Sequence, residues 1–249
     1  VIDYLEGVGT RTHDGEKLPF IAVPTTAGTG SEATKNAVIC QVGKNGFKKS
    51  LRHDRLIPDI ALIDPELTLT CPDTVTAACG MDALTQLLES FVSVKASAMT
   101  DSLASGALTV LGDSLVPAST TAQDDIELRS RISYAAYISG LTLANAGLGT
   151  IHGFASVIGG FFAIPHGVVC GTLVAAATRC NIETLRQRAP DSPALRKYAE
   201  AGVLIGSELF SSEQAAQDGL VTLLEEWTER LALPRLGRFG MTEADIPRV

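Results

Sequence analysis

The pattern of apolar and polar residues changes near residue 70. Before that point, short apolar runs and glycine-rich turns are typical of strands, and after it apolar residues recur at helical spacing. The predicted strands cover residues 18–23, 34–42, 47–50 and 58–64, and the first and last of them are expected to be buried. The predicted helices cover residues 74–94, 100–115, 124–146, a segment around His152, 167–180, 192–210 and 212–231. The sequence therefore predicts an α/β portion over residues 1–70 and an all-helical portion over residues 71–249.

Glycine positions and the first residues add two local expectations. Gly80 marks a break inside the first predicted helix, because glycine is a poor helix former. The opening residues, V-I-D-Y-L-E-G, resemble the middle of a helix. We therefore expect the chain to be a segment of a longer protein.

Composition narrows the class of protein. With 249 residues, 45% apolar and 19% charged, the chain is long enough to bury a substantial core. Its net charge of −8 argues against a nucleic-acid-binding surface, and no apolar run approaches the ~20 residues of a membrane span. The cysteines form no C-x-x-C pair and suggest reduced core residues: Cys40, Cys71, Cys79, Cys170 and Cys180. We expect a cytoplasmic protein with no nucleic-acid or membrane partner.

Two of the four histidines lie in an apolar stretch that we expect to be buried, residues 148–170. His152 and His166 are each followed by glycine, and two glycines and a proline between them favour a bend that brings the two side chains together. One interpretation is a pair of hydrogen-bonded core histidines. The other adds Asp82, from an upstream apolar helix, to make a site for a divalent ion such as zinc or iron.

A glycine-rich loop follows the first predicted strand. Its sequence, P-T-T-A-G-T-G-S-E over residues 24–32, offers backbone N–H groups and the hydroxyls of Thr25, Thr26 and Thr29. This chemistry suits the phosphates and ribose of a nucleotide. An ordinary strand-ending turn explains the loop equally well, since it matches neither the G-x-G-x-x-G nor the Walker pattern.

Taken together, the motifs resemble those of the iron-containing (group III) alcohol dehydrogenases. The matching stretches are P-T-T-A-G-T-G-S-E, A-L-I-D-P-E-L-T, G-M-D-A-L, and H-G followed fourteen residues later by P-H-G. The resemblance implies a dehydroquinate synthase-like fold. Residues 1–70 would be part of a nucleotide-binding α/β domain, residues 71–249 a helical metal-binding catalytic domain, and the metal would lie in the cleft between them.

The resemblance also assigns roles to individual residues. Asp82, His152 and His166 fall on catalytic metal-ligand positions, and Gln86 occupies a fourth ligand position where the family commonly has histidine. Fe²⁺ or Zn²⁺ is the implied metal, and NAD or NADP the implied cofactor. The positions that match cofactor contacts are those of Thr25, Thr26, Thr29, Lys48 and Leu67.

The implied reaction is hydride transfer between a nicotinamide cofactor and a small alcohol, aldehyde or ketone, in an enzyme that could form a homodimer. Three departures from the family pattern keep alternatives open: Gln86, Ser156 in place of a substrate-side histidine, and a phosphate-binding G-G-G-S segment that would precede Val1. Without that segment we expect weak dinucleotide binding. The alternatives are a glycerol-dehydrogenase-like enzyme, a metal-independent maleylacetate-reductase-like enzyme, and a non-catalytic fragment with a vestigial metal site.

Overall fold

The computed structural model describes all residues, Val1–Val249, as a small strand-containing part followed by a helical part. The strands are β1 (Ile21–Ala22), β2 (Asn36–Gln41), β3 (Phe47–Arg52) and β4 (Ile60–Ala61). The helices are α1 (Asp73–Phe91), α2 (Ala98–Thr120), α3 (Ile126–Ala146), α4 (Thr150–Phe161), α5 (His166–Arg188), α6 (Pro193–Gly206) and α7 (Glu213–Arg230). This order confirms the predicted fold class, while the boundary placed at residue 70 stays a prediction.

The strands form two separate pairs. β1 and β4 are parallel, with Ile21 opposite Ile60, and β2 and β3 form an antiparallel hairpin. The prediction that the first and last strands are buried is wrong, because Ile21 in β1 is 59% exposed and Ile60 in β4 is 53% exposed. β1 and β4 are each only two residues long, so their pairing covers little of the side-chain surface of either strand. The first residues form one 3₁₀ turn, Ile2–Tyr4, and not the predicted helix interior.

Helix α1 lies at the centre of the helical part. It packs against α2, α3 and α5, and every residue from Gly80 to Phe91 is buried, which includes all faces of the helix. Gly80 does not break this helix as predicted. It lies inside continuous α1, where an added Cβ would overlap the side chain of Leu115 in α2. Glycine at this position allows the two helices to pack closely.

The hairpin of β2 and β3 packs against α4. Ser156 donates a hydrogen bond to the backbone oxygen of Lys48, and the amide of Gly43 donates to the backbone oxygen of Gly160. A Cβ at Gly160 would lie 3.0 Å from Cα of Phe47, so any larger residue there would push the hairpin and α4 slightly apart. The contact carries Lys48 toward the start of α5.

The predicted bend between the two histidines is confirmed. Helix α4 ends at Phe161, α5 begins at His166, and the His152 and His166 rings lie 5.4 Å apart between centroids. Full burial of the stretch is not observed, since Phe154 on α4 is exposed.

Two further expectations are tested by the fold. No single helix has the length and apolar composition to cross a membrane. Only α3 and α4 taken together meet that test, and they are bent by 101°.

All five cysteines are free, but Cys40 and Cys180 are exposed, so their prediction as core residues is wrong.

Candidate metal centre

Four side chains from three helices converge at one point. Asp82 comes from α1, His152 from α4, and His166 and Cys170 from α5, and one donor atom of each lies within 4.8 Å of the others. The Asp82 Oδ1 atom is 3.3 Å from Nε2 of His152 and 3.6 Å from Nε2 of His166. A carboxylate, two imidazoles and a thiol form a donor set that suits a divalent transition metal.

Asp82 is the buried acid of the cluster. Its residue exposure is 1%, and its Oδ1 atom makes no hydrogen bond although it lies close to both histidines. Burial raises the pKa of Asp82, but the neighbouring His152 and His166 outweigh burial and hold it below its usual value. A buried carboxylate oxygen without a hydrogen bond is unfavourable unless a cation compensates it. The residues present therefore fit a bound metal ion.

His152 is oriented by a carboxylate behind it. Its Nδ1 lies 2.6 Å from Oε2 of Glu89, while the other Glu89 oxygen accepts a hydrogen bond from the amide of Ile151 at 2.6 Å. A proton shared with Glu89 on Nδ1 leaves Nε2 to face the cluster, which is the arrangement of many metal-bound histidines. Sequence reasoning missed Glu89, although it follows Asp82 by seven residues, two turns along one face of α1.

His152 and His166 differ in their charge environment. Burial lowers the pKa of His152, but contacts with Asp82, Cys170 and Glu89 outweigh burial and raise it well above its usual value. Burial lowers the pKa of His166 to about 4, and the positive charge of Lys48 acts in the same direction. Nζ of Lys48 lies 2.9 Å from Nδ1 of His166. Strand β3 therefore places a cation directly behind one of the candidate ligands.

Gln86 lies one turn after Asp82, and both its amide nitrogen and its amide oxygen make hydrogen bonds. Its Nε2 donates to Oδ2 of Asp82 at 3.5 Å, and its Oε1 accepts a hydrogen bond from Ser139 of α3 at 2.8 Å. The Gln86 oxygen is the atom that could coordinate a metal, and here it is turned toward α3. The structure therefore places Gln86 behind Asp82 and not among the converging donors.

Cys170 takes the fourth place in the cluster, and sequence reasoning missed this role. Its Sγ lies 3.7 Å from Nε2 of His152 and 3.8 Å from Nε2 of His166, and its side chain is fully buried. Burial raises the pKa of the metal-free thiol to about 12. The available signal was its spacing of four residues from His166, which places both side chains on one face of α5.

The threonine-rich loop has an inner and an outer side. Ala27 and Gly28 are buried against the helices, whereas Thr25, Thr26 and Thr29 are exposed. Gly30 adopts a φ of +59°, and a Cβ there would lie 2.6 Å from Cα of Gly140 in α3. The helices thus fix the loop backbone and leave its hydroxyls accessible. Leu67, on the 3₁₀ turn Pro65–Thr68, is also exposed.

Comparison with protein families gives two matches along the chain. Residues 1–65 match the family described as iron-containing alcohol dehydrogenase, and residues 76–249 match the C-terminal part of the Fe-containing alcohol dehydrogenase family. The two matches follow each other in the order of the strand-containing and helical parts.

Individual relatives and solved structures agree with these matches. The chain is 36% identical over 247 residues to long-chain-alcohol dehydrogenase 1 of Geobacillus thermodenitrificans, covering 99% of this chain and 60% of that protein. It is 30% identical over 240 residues to NAD-dependent methanol dehydrogenase of Bacillus methanolicus, covering 96% and 60%. The fold superimposes on 1,3-propanediol oxidoreductase with a TM-score of 0.82 at 30% identity, covering 92% of this chain and 58% of that one. The chain thus spans about 60% of the length of these relatives.

Proposed function

The chain belongs to the iron-containing alcohol dehydrogenase family, and on that premise we propose that its protein is a metal-dependent, NAD(P)-linked alcohol dehydrogenase. The reaction is hydride transfer between a small alcohol and the corresponding aldehyde or ketone. The observation that carries the proposal is the meeting of Asp82, His152 and His166, with one buried Asp82 oxygen left without a hydrogen bond.

These three residues would hold Fe²⁺ or Zn²⁺. When bound, the ion supplies Lewis acidity, which lowers the pKa of an alcohol and polarises a carbonyl. Asp82 contributes negative charge from a buried position, Glu89 orients His152, and Gln86 keeps the second Asp82 oxygen in place. Residues that fix the ligands in this way commonly contribute 10–100-fold, as an order of magnitude, to metal affinity.

The exposed side of the loop would hold the cofactor. Thr25, Thr26 and Thr29 offer hydroxyl donors to a diphosphate, from a backbone that is fixed by its packing on α1 and α3. Lys48 would contact the ribose and Leu67 the base. Relatives support a nicotinamide cofactor, because one is named an NAD-dependent methanol dehydrogenase and another structure, of a sulfoacetaldehyde reductase, contains NAD⁺.

The proposal extends to the partners of the whole protein. Its substrate would be a small alcohol or aldehyde, its working form a homodimer, and its location the cytoplasm. The named activities of relatives, on long-chain alcohols, methanol and 1-propanol, support an alcohol substrate without a single chain length.

The test is metal-dependent cofactor reduction by the purified protein. The protein is loaded with Fe²⁺ or Zn²⁺ and mixed with NAD or NADP and a series of primary alcohols. We expect formation of reduced cofactor that stops on chelation and returns when metal is added back. Asp82→Asn should remove both metal and activity, whereas Asp113→Asn, an exposed change on α2, should remove neither. Turnover that survives complete chelation would contradict the proposal.

A further inference from the structure

We propose that Cys170 binds the metal ion directly as a thiolate, which completes an Asp–His–His–Cys centre that favours Zn²⁺ over Fe²⁺. The inference rests on the proposed function to the extent that Asp82, His152 and His166 hold an ion. It adds a fourth protein ligand from the chain's own geometry.

Four distances between the donor atoms match those of a tetrahedral site. With Zn–N near 2.0–2.1 Å and Zn–S near 2.3 Å, tetrahedral geometry separates a nitrogen and a sulfur ligand by about 3.6 Å, and a nitrogen and an oxygen by about 3.3 Å. Here Sγ of Cys170 lies 3.7 and 3.8 Å from the two Nε2 atoms. Oδ1 of Asp82 lies 3.3 and 3.6 Å from the same atoms. These four distances match one tetrahedral shell, and all four donor atoms lie within 4.8 Å of one another.

A second observation points to a ligand at this position. Asp82 is only 1% exposed, and its Oδ1 atom has no hydrogen-bond partner. The oxygen lies next to the same histidine nitrogens that Sγ of Cys170 contacts. A cation between them would satisfy the oxygen and the sulfur at once.

Gln86 does not compete for the fourth corner in this arrangement. Its oxygen accepts from Ser139 and its nitrogen donates to Asp82, so coordination would require the amide to turn over and lose its hydrogen bond to Asp82. Cys170 requires no rearrangement. It only releases its thiol proton to solvent when the ion binds, as metal-bound cysteines do.

The donor set has a consequence for metal choice. An aspartate and a thiolate together neutralise a divalent cation, and the soft sulfur favours zinc over a harder ion in a site otherwise made of oxygen and nitrogen donors. Zinc accepts five donors as well as four, so a fourth protein ligand is compatible with the proposed chemistry.

Cobalt substitution tests the sulfur bond without relying on activity. Metal-free protein is titrated with Co²⁺, and we expect a thiolate-to-cobalt charge-transfer band in the near ultraviolet together with visible bands of tetrahedral intensity. Cys170→Ser should lose the charge-transfer band while still binding Co²⁺. The control is Cys180→Ser, which lies on the same helix but is exposed, and its spectrum should match that of the unchanged protein.

Metal competition measures the preference. Cys170→Ser should lower the ratio of Zn²⁺ to Fe²⁺ affinity by roughly tenfold or more, the scale on which ligand-shell changes act. If Cys170→Ser fails to fold, X-ray absorption at the zinc edge of the unchanged protein decides, because a Zn–S distance near 2.3 Å should be present in the zinc-loaded protein.

The outcomes separate this inference from the proposed function. Co²⁺ bound without a charge-transfer band, or a zinc shell that contains no sulfur, would overturn the thiolate ligand and leave the three-ligand site standing. A protein that binds no divalent ion would overturn both.

Discussion

At the scale of single residues, the centre depends on groups that stand behind the ligands as much as on the ligands themselves. Glu89 holds His152 from one side, and Lys48 meets His166 from another. The two contacts have opposite consequences for metal binding. A carboxylate accepts the proton that a metal-bound imidazole must keep on its far nitrogen, whereas an ammonium group can only donate.

Replacing Glu89 tests the first contact. Glu89→Gln retains the size of the side chain but removes the charge that fixes the proton on Nδ1 of His152, so we expect metal affinity to fall by roughly 10–100-fold. Chelator competition measures it. Glu225→Gln, an exposed change in the pair with Arg179, is the control and should leave affinity unchanged. Equal affinities in the two variants would remove Glu89 from the metal site.

Replacing Lys48 should have the reverse effect. When Nε2 of His166 binds an ion, Nδ1 must carry a proton, and the Lys48 ammonium 2.9 Å away opposes that state by donation and by charge. Lys48→Met should therefore tighten metal binding about tenfold, while the KM for the cofactor rises if Lys48 contacts the ribose. Lys49→Met, an exposed neighbour on the same strand, controls for lost surface charge. Unchanged metal affinity in Lys48→Met would show that the Lys48 ammonium group does not oppose metal binding by His166.

At the scale of elements, close packing at glycines positions the site. The approach of β3 to α4 at Gly160 carries Lys48 to His166, and the approach of the threonine loop to α3 at Gly30 fixes the loop backbone. These contacts join segments that are more than 100 residues apart in the sequence. Glycines also bring the loop and the P-H-G motif to neighbouring residues of α1, since Gly28 approaches Cys79 and Gly167 approaches Ala78.

Two glycine-to-alanine substitutions separate the effect of close packing on stability from the effect of helix propensity. Gly160→Ala places a Cβ 3.0 Å from the backbone of Phe47, and overpacking of this kind should lower the free energy of unfolding by about 1–3 kcal/mol. Gly106→Ala in α2 meets no atom within 4 Å and should raise it by up to about 1 kcal/mol, the helix propensity difference. Denaturant unfolding measures both. Two variants of equal stability would mean that the hairpin and α4 are not tightly packed.

The sequence predicted the helices and the histidine pair well because both depend on local patterns. Helical spacing set the order of α1 to α7, and the glycines and proline between His152 and His166 indicated the bend. The prediction that the first and last strands are buried was wrong, because burial depends on what covers a strand and not on its own apolar residues. Glu89 and Cys170 were missed because their roles arise only when α1, α4 and α5 meet, and the hydrogen bonds that turn Gln86 toward α3 involve Ser139, 53 residues away.

At the scale of the whole molecule, the candidate centre is a crosslink among α1, α4 and α5. The central helix α1 contributes Asp82, and the bent pair of α4 and α5 contributes the other donors, so an ion at this point joins segments from residue 82 to residue 170. The hairpin on α4 brings the strand-containing part to the same region. Metal occupancy should therefore affect the stability of the whole chain and not only its catalysis.

Thermal unfolding with and without metal tests this coupling. An ion that binds only the folded state at 100 times its Kd adds about 2.7 kcal/mol, which for a chain of this size is a rise of roughly 5–10 °C in Tm. We expect that rise when Zn²⁺ is added to metal-free protein, measured by circular dichroism at fixed protein concentration. Asp82→Asn removes the buried charge that faces the ion, so its Tm should not respond to Zn²⁺. Asp113→Asn, whose carboxylate lies on the outside of α2, should retain the full metal response. A Zn²⁺-dependent rise of the same size in Asp82→Asn would place the stabilising ion elsewhere on the molecule.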